Sequence, residues 1–344
     1  MKLAGMPRIL LSEYPTPLEE LKRFSAALGG PRILMKRDDL IGFGMGGNKV
    51  RKLEYIMADA MASGADVVIT TGGVQTNHGR LTAAAARKLG LHPVLVLSGQ
   101  KPDSYRGNLL LDYIYGAEVH FVSPDDRLGQ EERALKLKED VQKEIARIKE
   151  GYEAEGRKCY VIPLGGMMRV ATAGYLNGML ETYAQLAEMG EKVRHMVVTT
   201  GSTSTTSSLI LANKAFNTGI KVIGISVWQP AGTCREAILE ELKKDIAYYG
   251  YDVCIGGDDF EIFDDYIGAG YSKPSKEGLE AMKLIARTEA IIVDHAYTGK
   301  ALAGLIDLVK KGHFGDDEAV LFLHTGGAPA IFALERDAFE GIFW

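Results

Sequence analysis

The chain has 344 residues, of which 46% are hydrophobic and 25% are charged. This length predicts two domains or one elaborate α/β unit, and the composition excludes a disordered chain. The net charge of -5, with acidic and basic residues interspersed, provides no basic surface for a phosphate backbone, so nucleic acid is not an expected partner.

Cysteine usage and the N-terminus indicate the compartment. Cys159, Cys234 and Cys254 are odd in number and form no C-x-x-C pair, so we expect neither a disulfide framework nor a metal site. The N-terminus carries charges and prolines where a signal peptide needs an apolar segment, and no run of about 18 apolar residues occurs. We therefore expect a cytoplasmic protein without a membrane span.

Apolar, β-branched runs alternate with helical patterns along the chain. The first such unit is a strand at 66–73, a helix at 77–90 and a strand at 92–99. Further strands are predicted at 117–124, 158–166, 194–202, 221–228, 290–297 and 319–327. The longest helical stretch runs from about 130 to 157. This alternation predicts an α/β fold with buried parallel strands crossed by helices.

Several predicted strands end in glycine together with hydroxyl or amide residues. The loops read TTGGVQTNH, PLGGMMR, TTGSTSTTSS and HTGGAP. Ligands bind beyond the carboxyl ends of the strands in open α/β sheets, and glycine lets the backbone approach them closely. One such loop is more often a tight turn, but four of them predict a ligand site.

The segment 200–206 has the features of an anion site, because it joins a strand to a helix and carries several hydroxyl donors. A Ser/Thr-rich helix cap without a ligand is the alternative. No G-K-[ST] follows, which excludes a Walker A loop. No G-x-G-x-x-G follows any of the predicted strands, which counts against NAD.

Lys49 stands beside two glycines in the sequence Gly46-Gly47-Asn48-Lys49. Schiff-base chemistry needs an amine whose pKa is lowered by burial or by a nearby cation. Arg51 and Lys52 are candidates for that cation, although we expect neither side chain to take the place of Lys49 in the turn. Taken alone, an ordinary surface lysine is the commoner explanation.

The motifs together resemble one enzyme family. The runs KRDDLIGFGMGGNKVRKLEY, GGVQTNHGR, the Gly-Ser-Thr loop, GYSKPSKEGLEAMKLIARTEAIIVDHAYTGKALAGLI and LFLHTGGAPAIFA are similar, in order, to the 1-aminocyclopropane-1-carboxylate (ACC) deaminase and D-cysteine desulfhydrase family. The resemblance covers residues 15 to 333. It implies a pyridoxal 5'-phosphate (PLP) enzyme of the tryptophan-synthase-β type, fold type II.

The same resemblance implies a domain organisation. Residues 1–50 and 164–344 would form a large PLP-binding domain, and residues 51–163 a small inserted domain. Each domain would hold a mostly parallel twisted sheet flanked by helices, with Lys49 at the seam. A homodimer is the usual state of the family.

Roles for the residues around Lys49 also follow from the resemblance. Lys49 forms the Schiff base with PLP, and Thr76 takes part in nucleophilic or proton-transfer steps near the substrate. Asn77 hydrogen-bonds the 3′ oxygen of the cofactor, and His78 lies near the substrate carboxylate.

The remaining implied roles concern the phosphate and the ring. The residues that hold the phosphate are Gly201, Ser202, Thr203, Ser204 and Thr205. Tyr297 flanks the pyridine ring and has a catalytic role, and Tyr271 approaches the same pocket. Thr325 faces the ring nitrogen.

Two departures from family patterns bear on the substrate. ACC deaminases typically have an acidic residue directly after the tyrosine of the D-P-V-Y motif, where this chain has Thr298. They also have leucine in the H-L-G-G motif, where this chain has Thr325. Both threonines resemble the desulfhydrase branch. The run from Gly165 to Arg169 replaces the G-G-S-N of desulfhydrases, and Trp228 is also atypical. Arg169 could meet an anionic leaving group such as a sulfonate, or the change could be neutral drift.

We therefore expect α,β-elimination from a small β-substituted amino acid, with D-cysteine giving pyruvate, sulfide and ammonia as the leading reaction. Cysteate sulfo-lyase and ACC deaminase are alternatives within the family. A non-catalytic protein that binds PLP or an amino acid is the alternative from another class.

Overall fold

The computed structural model describes residues 3–315 and 319–343. The strands are β1 Leu18–Glu20, β2 Arg32–Arg37, β3 Val67–Gly73, β4 His92–Ser98, β5 Glu118–Val122, β6 Cys159–Ile162, β7 His195–Thr200, β8 Lys221–Ser226, β9 Phe260–Phe263 and β10 Ala319–His324. The helices are α1 Lys22–Leu28, α2 Lys49–Ala62, α3 Asn77–Lys88, α4 Gly107–Ile114, α5 Gln130–Ala154, α6 Arg169–Met189, α7 Ser204–Phe216, α8 Ala231–Tyr249, α9 Lys276–Glu289 and α10 Thr298–Lys310. Short 3₁₀ helices include Leu164–Gly166 and Ala328–Ala333.

The strands form two separate sheets. One has four parallel strands in the order β5-β4-β3-β6. The other has six strands in the order β1-β2-β10-β7-β8-β9, parallel except for the antiparallel β1–β2 pair. The central strands are buried, as expected for parallel sheets covered by helices. The predicted α/β class with two mostly parallel sheets is confirmed.

The two sheets draw on different parts of the chain. The four-stranded sheet lies within residues 67–162, and the six-stranded sheet uses residues 18–37 and 195–324. The predicted boundary between residues 50 and 51 falls inside α2, which packs against both α3 and α6. The domain boundaries themselves stay a prediction.

The segment 290–297 is not a strand, contrary to the sequence prediction. The Asp294 carboxylate accepts hydrogen bonds from the backbone N–H groups of Ala296, Tyr297 and Thr298 at 2.8–3.0 Å. These bonds turn the chain into the start of α10, so the apolar residues there pack as an irregular segment. Strands β1, β2 and β9 were not predicted.

Loops from both sheets meet at one cleft. A Cβ placed on Gly73, at the end of β3, would lie 3.9 Å from the ring of Tyr271. A Cβ on Gly165, after β6, would lie 2.7 Å from Ser202 Oγ, just after β7. Within residues 3–315 and 319–343, none of the helices combines the length and apolar character that crossing a membrane requires.

Candidate active site

Lys49 is the first residue of α2 and follows a tight glycine turn. Gly46 has a φ of 71°, and a Cβ there would lie 2.0 Å from the carbonyl oxygen of Asp39, so only glycine fits. The Asn48 N–H donates to the Thr325 carbonyl at 3.0 Å. The start of α2 is therefore fixed at the carboxyl end of the six-stranded sheet.

The side chain of Lys49 reaches the loop between β6 and α6. Gly165 has a φ of 67°, and a Cβ there would lie 3.9 Å from Lys49 Nζ. Burial lowers the pKa of Lys49 to about 8, and a hydrogen bond with Lys52 raises it by a smaller amount. The amine is thus partly neutral near neutral pH, which is the form that reacts with an aldehyde.

Lys52 belongs to the same site, which corrects the expectation that its side chain lies elsewhere. It is 1% exposed, and its Nζ donates to Ser204 Oγ at 2.9 Å. Burial and the neighbouring Lys49 amine hold the pKa of Lys52 well below its usual value. In the part of the chain that the structure describes, no carboxylate lies within ion-pair distance of Lys52. Its spacing of one helical turn from Lys49 could have predicted this placement.

Arg51, the other candidate cation, lies in a different environment. Its guanidinium binds both oxygens of Asp38 at 2.8 Å and both oxygens of Glu181 at 2.8–2.9 Å. The two carboxylates raise the pKa of Arg51 well above its usual value. Arg51 therefore anchors α2 in the protein and does not supply the charge beside Lys49.

The loop between β7 and α7 forms the candidate phosphate site. Thr203 has a φ of 57° and precedes the first residue of α7, Ser204. Asn48 Nδ2 donates to Thr205 Oγ1 at 3.0 Å, which ties this loop to the glycine turn before Lys49. Backbone N–H groups at a helix N-terminus, several hydroxyls and the buried Lys52 ammonium together suit a phosphate.

Thr76 caps the helix that leads away from the cleft. Its Oγ1 accepts a hydrogen bond from the Gly79 N–H at 3.2 Å, and the residue is 7% exposed. The following Asn77 is half-buried, and its Oδ1 accepts from Asn108 Nδ2 at 2.9 Å. The predicted QTN residues therefore lie at the carboxyl end of the four-stranded sheet.

His78 is buried behind this loop. Thr70 Oγ1 donates to the Ile162 carbonyl at 2.9 Å, so it accepts from His78 Nε2, also at 2.9 Å. Nδ1 is then a bare acceptor without a partner among the described residues. Burial, with the positive charges of Lys49 and Lys52, holds the pKa of His78 well below its usual value, so the ring is neutral. In this state His78 suits a donor rather than the substrate carboxylate that the resemblance implied.

Two tyrosines, Tyr271 and Tyr297, lie in contact with each other at the cleft. A Cβ on Gly201 would lie 3.2 Å from the ring of Tyr297, so this ring covers the phosphate loop. The hydroxyls of Tyr271 and Tyr297 are hydrogen-bonded to each other. Burial raises the pKa of both phenols, so both stay protonated at neutral pH. Trp228 lies beyond them, with its ring centroid 5.9 Å from that of Tyr271.

A family match decides the cofactor. The family described as pyridoxal-phosphate dependent enzyme matches residues 9–326. The chain belongs to this family. A D-cysteine desulfhydrase of Salmonella choleraesuis (strain SC-B67) is 39% identical to it over 336 residues, covering 96% of this chain and 97% of the relative. A candidate ACC deaminase of Pyrococcus abyssi is 38% identical over 338 residues, covering 98% of this chain and 97% of that protein.

Solved structures agree with this assignment. An ACC deaminase homologue superposes with a TM-score of 0.86 at 36% identity, covering 98% of this chain and 97% of that one. A threonine deaminase from T.th. gives a TM-score of 0.59 at 21% identity, covering 91% and 92%, and shares the fold. The predicted membership of the PLP-dependent deaminases and lyases, with PLP as cofactor, is confirmed.

The described residues fit a phosphate-bearing aldehyde. Lys49 provides an amine that is partly neutral near neutral pH, and Lys52 provides a second buried amine, of lowered pKa, that no described carboxylate pairs with. Burial makes the charged form of Lys52 costly and so favours its neutral amine, whereas a bound phosphate would favour the protonated form. Among the residues that the structure describes, no group of three or more His, Cys, Asp or Glu side chains could hold a metal.

Thr298 and Thr325, on which the expected substrate depends, have different contacts. Thr298 is fully buried, and its Oγ1 donates to Asp294 Oδ1 at 2.6 Å. Thr298 therefore stabilises the turn before α10, and its hydroxyl is already hydrogen-bonded to Asp294. Thr325 is 7% exposed, and its carbonyl accepts from the Asn48 N–H.

Arg169 has partners that differ from the predicted one. Its Nη1 donates to Asp245 Oδ1 at 2.8 Å and to the Glu241 carbonyl at 3.1 Å, and its Nη2 pairs with the Glu241 carboxylate. Protein carboxylates on α8 thus occupy the guanidinium fork. A substrate anion would have to displace them, so this geometry does not support Arg169 as a substrate residue.

Proposed function

We propose that this PLP-dependent enzyme catalyses α,β-elimination from a small β-substituted amino acid, with D-cysteine as the leading substrate. The observation that carries the proposal is that neither Tyr297 nor Thr325, the two residues assigned to the pyridine ring of PLP, has a carboxylate. Thr325 is a hydroxyl residue, and both oxygens of the nearby Asp294 accept hydrogen bonds from the protein. A neutral group at the ring nitrogen suits departure of a good leaving group better than opening of a cyclopropane ring.

Lys49 and the loop from Gly201 to Thr205 would hold PLP, which would supply an electron sink for the charge that develops at Cα. Lys49, with its lowered pKa, takes the proton from Cα. The Cβ–S bond then breaks with its electron pair on sulfur, and the sulfide takes up a proton. One water hydrolyses the remaining three-carbon unit to pyruvate and ammonia, so one D-cysteine and one water give pyruvate, hydrogen sulfide and ammonia.

The tyrosine pair is suited to deliver the proton to sulfur. Both phenols stay protonated at neutral pH, and each hydroxyl is oriented by the other. Thr76 lies on the other loop of the cleft, at the N-terminus of α3. We assign Tyr297 to the leaving-group side and Thr76 to the substrate side of the reaction.

The assay that tests the reaction measures initial rates of pyruvate from D-cysteine and of 2-oxobutyrate from ACC at matched concentrations. We expect D-cysteine to give the higher kcat/KM. A higher value on ACC contradicts the argument from the threonines. Turnover of cysteate alone keeps the elimination but moves the leaving group to a sulfonate, which would require Arg169 to leave its carboxylate partners. Binding of amino acids without any turnover would favour a non-catalytic protein.

Replacing Thr76 by valine tests its role separately. The hydroxyl of a positioned proton-transfer group contributes about 10²–10⁴-fold to the rate, so kcat should fall by that factor while PLP affinity changes little. Valine also removes the cap on α3, which costs about 0.5–2 kcal/mol of stability and is measured by denaturation. Thr76→Ser keeps both functions and should stay within a few-fold of wild type.

The proposal includes a homodimer, which the resemblance to the family supports, and a cytoplasmic location, which the cysteine usage and the N-terminal sequence support. Sedimentation equilibrium of the holoenzyme should give twice the chain mass of 37.4 kDa. A monomer at micromolar concentration would contradict the dimer and leave the reaction unaffected.

A further inference from the structure

The N-terminus of α4 is clasped to the QTN loop. Gln75 Oε1 accepts from the Asn108 N–H at 2.9 Å, and Gln75 Nε2 donates to the Arg106 carbonyl at 3.1 Å. In return, Asn108 Nδ2 donates to the Gln75 carbonyl at 2.9 Å. Asn108 is fully buried. The loop that carries Thr76 and Asn77 is therefore fastened to a helix that contains none of the assigned site residues.

These bonds fix which way the Asn108 amide points. A backbone carbonyl only accepts, so the group that faces the Gln75 carbonyl must be the NH₂ of Asn108. The second N–H of the same NH₂ lies 2.9 Å, measured between heavy atoms, from the Asn77 side chain. Asn77 must present its oxygen there, because two NH₂ groups cannot bond to each other.

The orientation of Asn77 follows. Its Oδ1 is used by Asn108, so its own NH₂ is left as a donor, and in the part of the chain that the structure describes it has no protein partner. Asn77 is half-buried beside the cleft. The resemblance assigns it to the 3′ oxygen of PLP, which is an acceptor when ionised.

We propose that Asn108 is a positioning residue that holds the Asn77 amide with its NH₂ directed to the 3′ oxygen of the cofactor. The inference rests on the proposed role of Asn77. It deepens that role by naming the residue that selects the donor end of the amide.

The burial of Asn108 supports a role for its two donors. Its Oδ1 is buried without a partner among the described residues, and an unpaired buried oxygen is unfavourable. Gln75 already binds the backbone N–H of Asn108 through its own side chain. The bonds that the Asn108 side chain itself makes run to the Gln75 carbonyl and to Asn77.

The position of α4 is constrained from a second side. A Cβ on Gly107 would lie 2.6 Å from Gln75 Oε1 and 2.8 Å from the Pro329 carbonyl. The first residue of α4 is thus packed between the QTN loop and the segment that follows Thr325. Asn108 therefore has a fixed base from which to orient Asn77.

Asn108→Asp is the sharpest test, because it keeps the shape and replaces the two donors by acceptors. The carboxylate should turn the Asn77 amide over, so that its oxygen faces the cofactor oxygen. We expect PLP affinity to fall about 10-fold to 100-fold, the effect of losing one hydrogen bond to a charged group. The visible absorption band should weaken in favour of the near-ultraviolet band, since the ionised 3′ oxygen loses its donor. A merely structural role would lower stability without changing this ratio.

The matched control is Asp112→Asn, one helical turn further along α4. Asp112 is fully buried, burial raises its pKa to about 8, and its carboxyl has no hydrogen-bond partner among the residues described. The control should therefore keep the wild-type band ratio and PLP affinity. Equal changes in both variants would overturn the proposal, because they would reflect general damage to α4.

Asn77→Ala separates the inference from its basis. If Asn77→Ala changes the band ratio and Asn108→Asp does not, Asn77 keeps its role and the proposal for Asn108 is wrong. If Asn77→Ala leaves the ratio at the wild-type value, the role of Asn77 itself is wrong.

A crystal structure of the wild-type holoenzyme provides a check that does not depend on a variant folding. Asn77 Nδ2 within hydrogen-bond distance of the 3′ oxygen, with Oδ1 still on Asn108, supports the proposal. An Asn108 side chain turned away from Asn77 overturns it.

Discussion

Arg51 and Lys52 are neighbours on the first turns of α2, both are buried, and their surroundings are opposite. Arg51 is 2% exposed and is bound by Asp38 and Glu181. Lys52 is 1% exposed and contacts Ser204 and the Lys49 amine instead. The charge of Arg51 is paired within the protein, whereas the Lys52 amine has no carboxylate partner among the described residues and its pKa is held well below the usual value.

This difference separates a structural cation from a ligand-binding one. Removing one partner of a buried ion pair leaves an uncompensated charge and destabilises the protein. A buried amine without a carboxylate partner instead favours its neutral form until an external anion binds. Successive residues on a helix point about 100° apart, so α2 can present one cation to the protein core and the other to the cleft. Lys49 shares the cleft face with Lys52, one turn earlier.

The largest effect is expected for Lys49→Ala. Turnover should fall by at least about 10⁴-fold, the upper end for one positioned proton-transfer group, because covalent attachment of the cofactor is lost as well. The visible absorbance of the cofactor should also disappear. Lys52 lies nearby, but its bond to Ser204 holds it toward the phosphate site. Cofactor fixed by borohydride at Lys52, together with wild-type rates, would show that the two lysines are assigned the wrong way round.

Arg51→Met should destabilise the protein. Asp38 is fully buried and would lose the cation that holds its pKa low, so the free energy of unfolding should fall by about 3–5 kcal/mol. Chemical denaturation of the apoprotein measures the change. Arg51→Lys keeps the charge without the bidentate geometry and should give a smaller loss. A change below about 1 kcal/mol would mean that the ion pair is not structural.

Lys52→Met should show the reverse pattern. The apoprotein should be about as stable as wild type or more stable, because the buried Lys52 amine has no carboxylate partner to lose and burial disfavours its charged form. PLP affinity should fall about 10-fold to 100-fold, the contribution of one hydrogen bond to a charged group. Arg51→Met is the matched control, since it removes a neighbouring buried cation. The comparison fails if both variants lose stability alike and neither loses PLP affinity.

The sequence predicted the fold and the loops better than it predicted these contacts. Strong apolar runs marked the central strands, and the glycine motifs marked the loops that meet at the cleft. The segment 290–297 was mistaken for a strand because its apolar run is bonded locally, to the Asp294 side chain. Strand periodicity does not reveal a side chain that competes for backbone N–H groups.

Charged residues were predictable by type but not by partner. Arg169 was expected to meet a substrate anion, but Asp245 lies 76 positions away and supplies the anion itself. Arg51 likewise depends on Glu181, 130 positions away. These pairings depend on how α6 packs against α8 and against α2, which one sequence does not specify. The spacing of Lys49 and Lys52 is local, so it could have predicted that both side chains lie on the same face of α2.

The comparison of the buried side chains on α2 also predicts that Arg51 and Lys49 respond differently to pH. The expected change in the rate of PLP attachment is the smallest effect predicted here. Carboxylates keep Arg51 charged at all ordinary pH values, whereas burial lowers the pKa of Lys49 to about 8. Burial disfavours the charged ammonium, so about half of Lys49 is neutral at pH 8 and roughly 1% at pH 6. Because the neutral amine attacks the aldehyde, the rate at which the apoprotein bonds PLP should rise about tenfold per pH unit up to 8 and level off above it. Stopped-flow absorbance measures this rate, and the same reaction with Nα-acetyl-lysine corrects for the titration of PLP. A corrected rate that keeps rising past pH 10 would show an ordinary lysine pKa, and the desolvated environment assigned to the cleft face of α2 would be wrong.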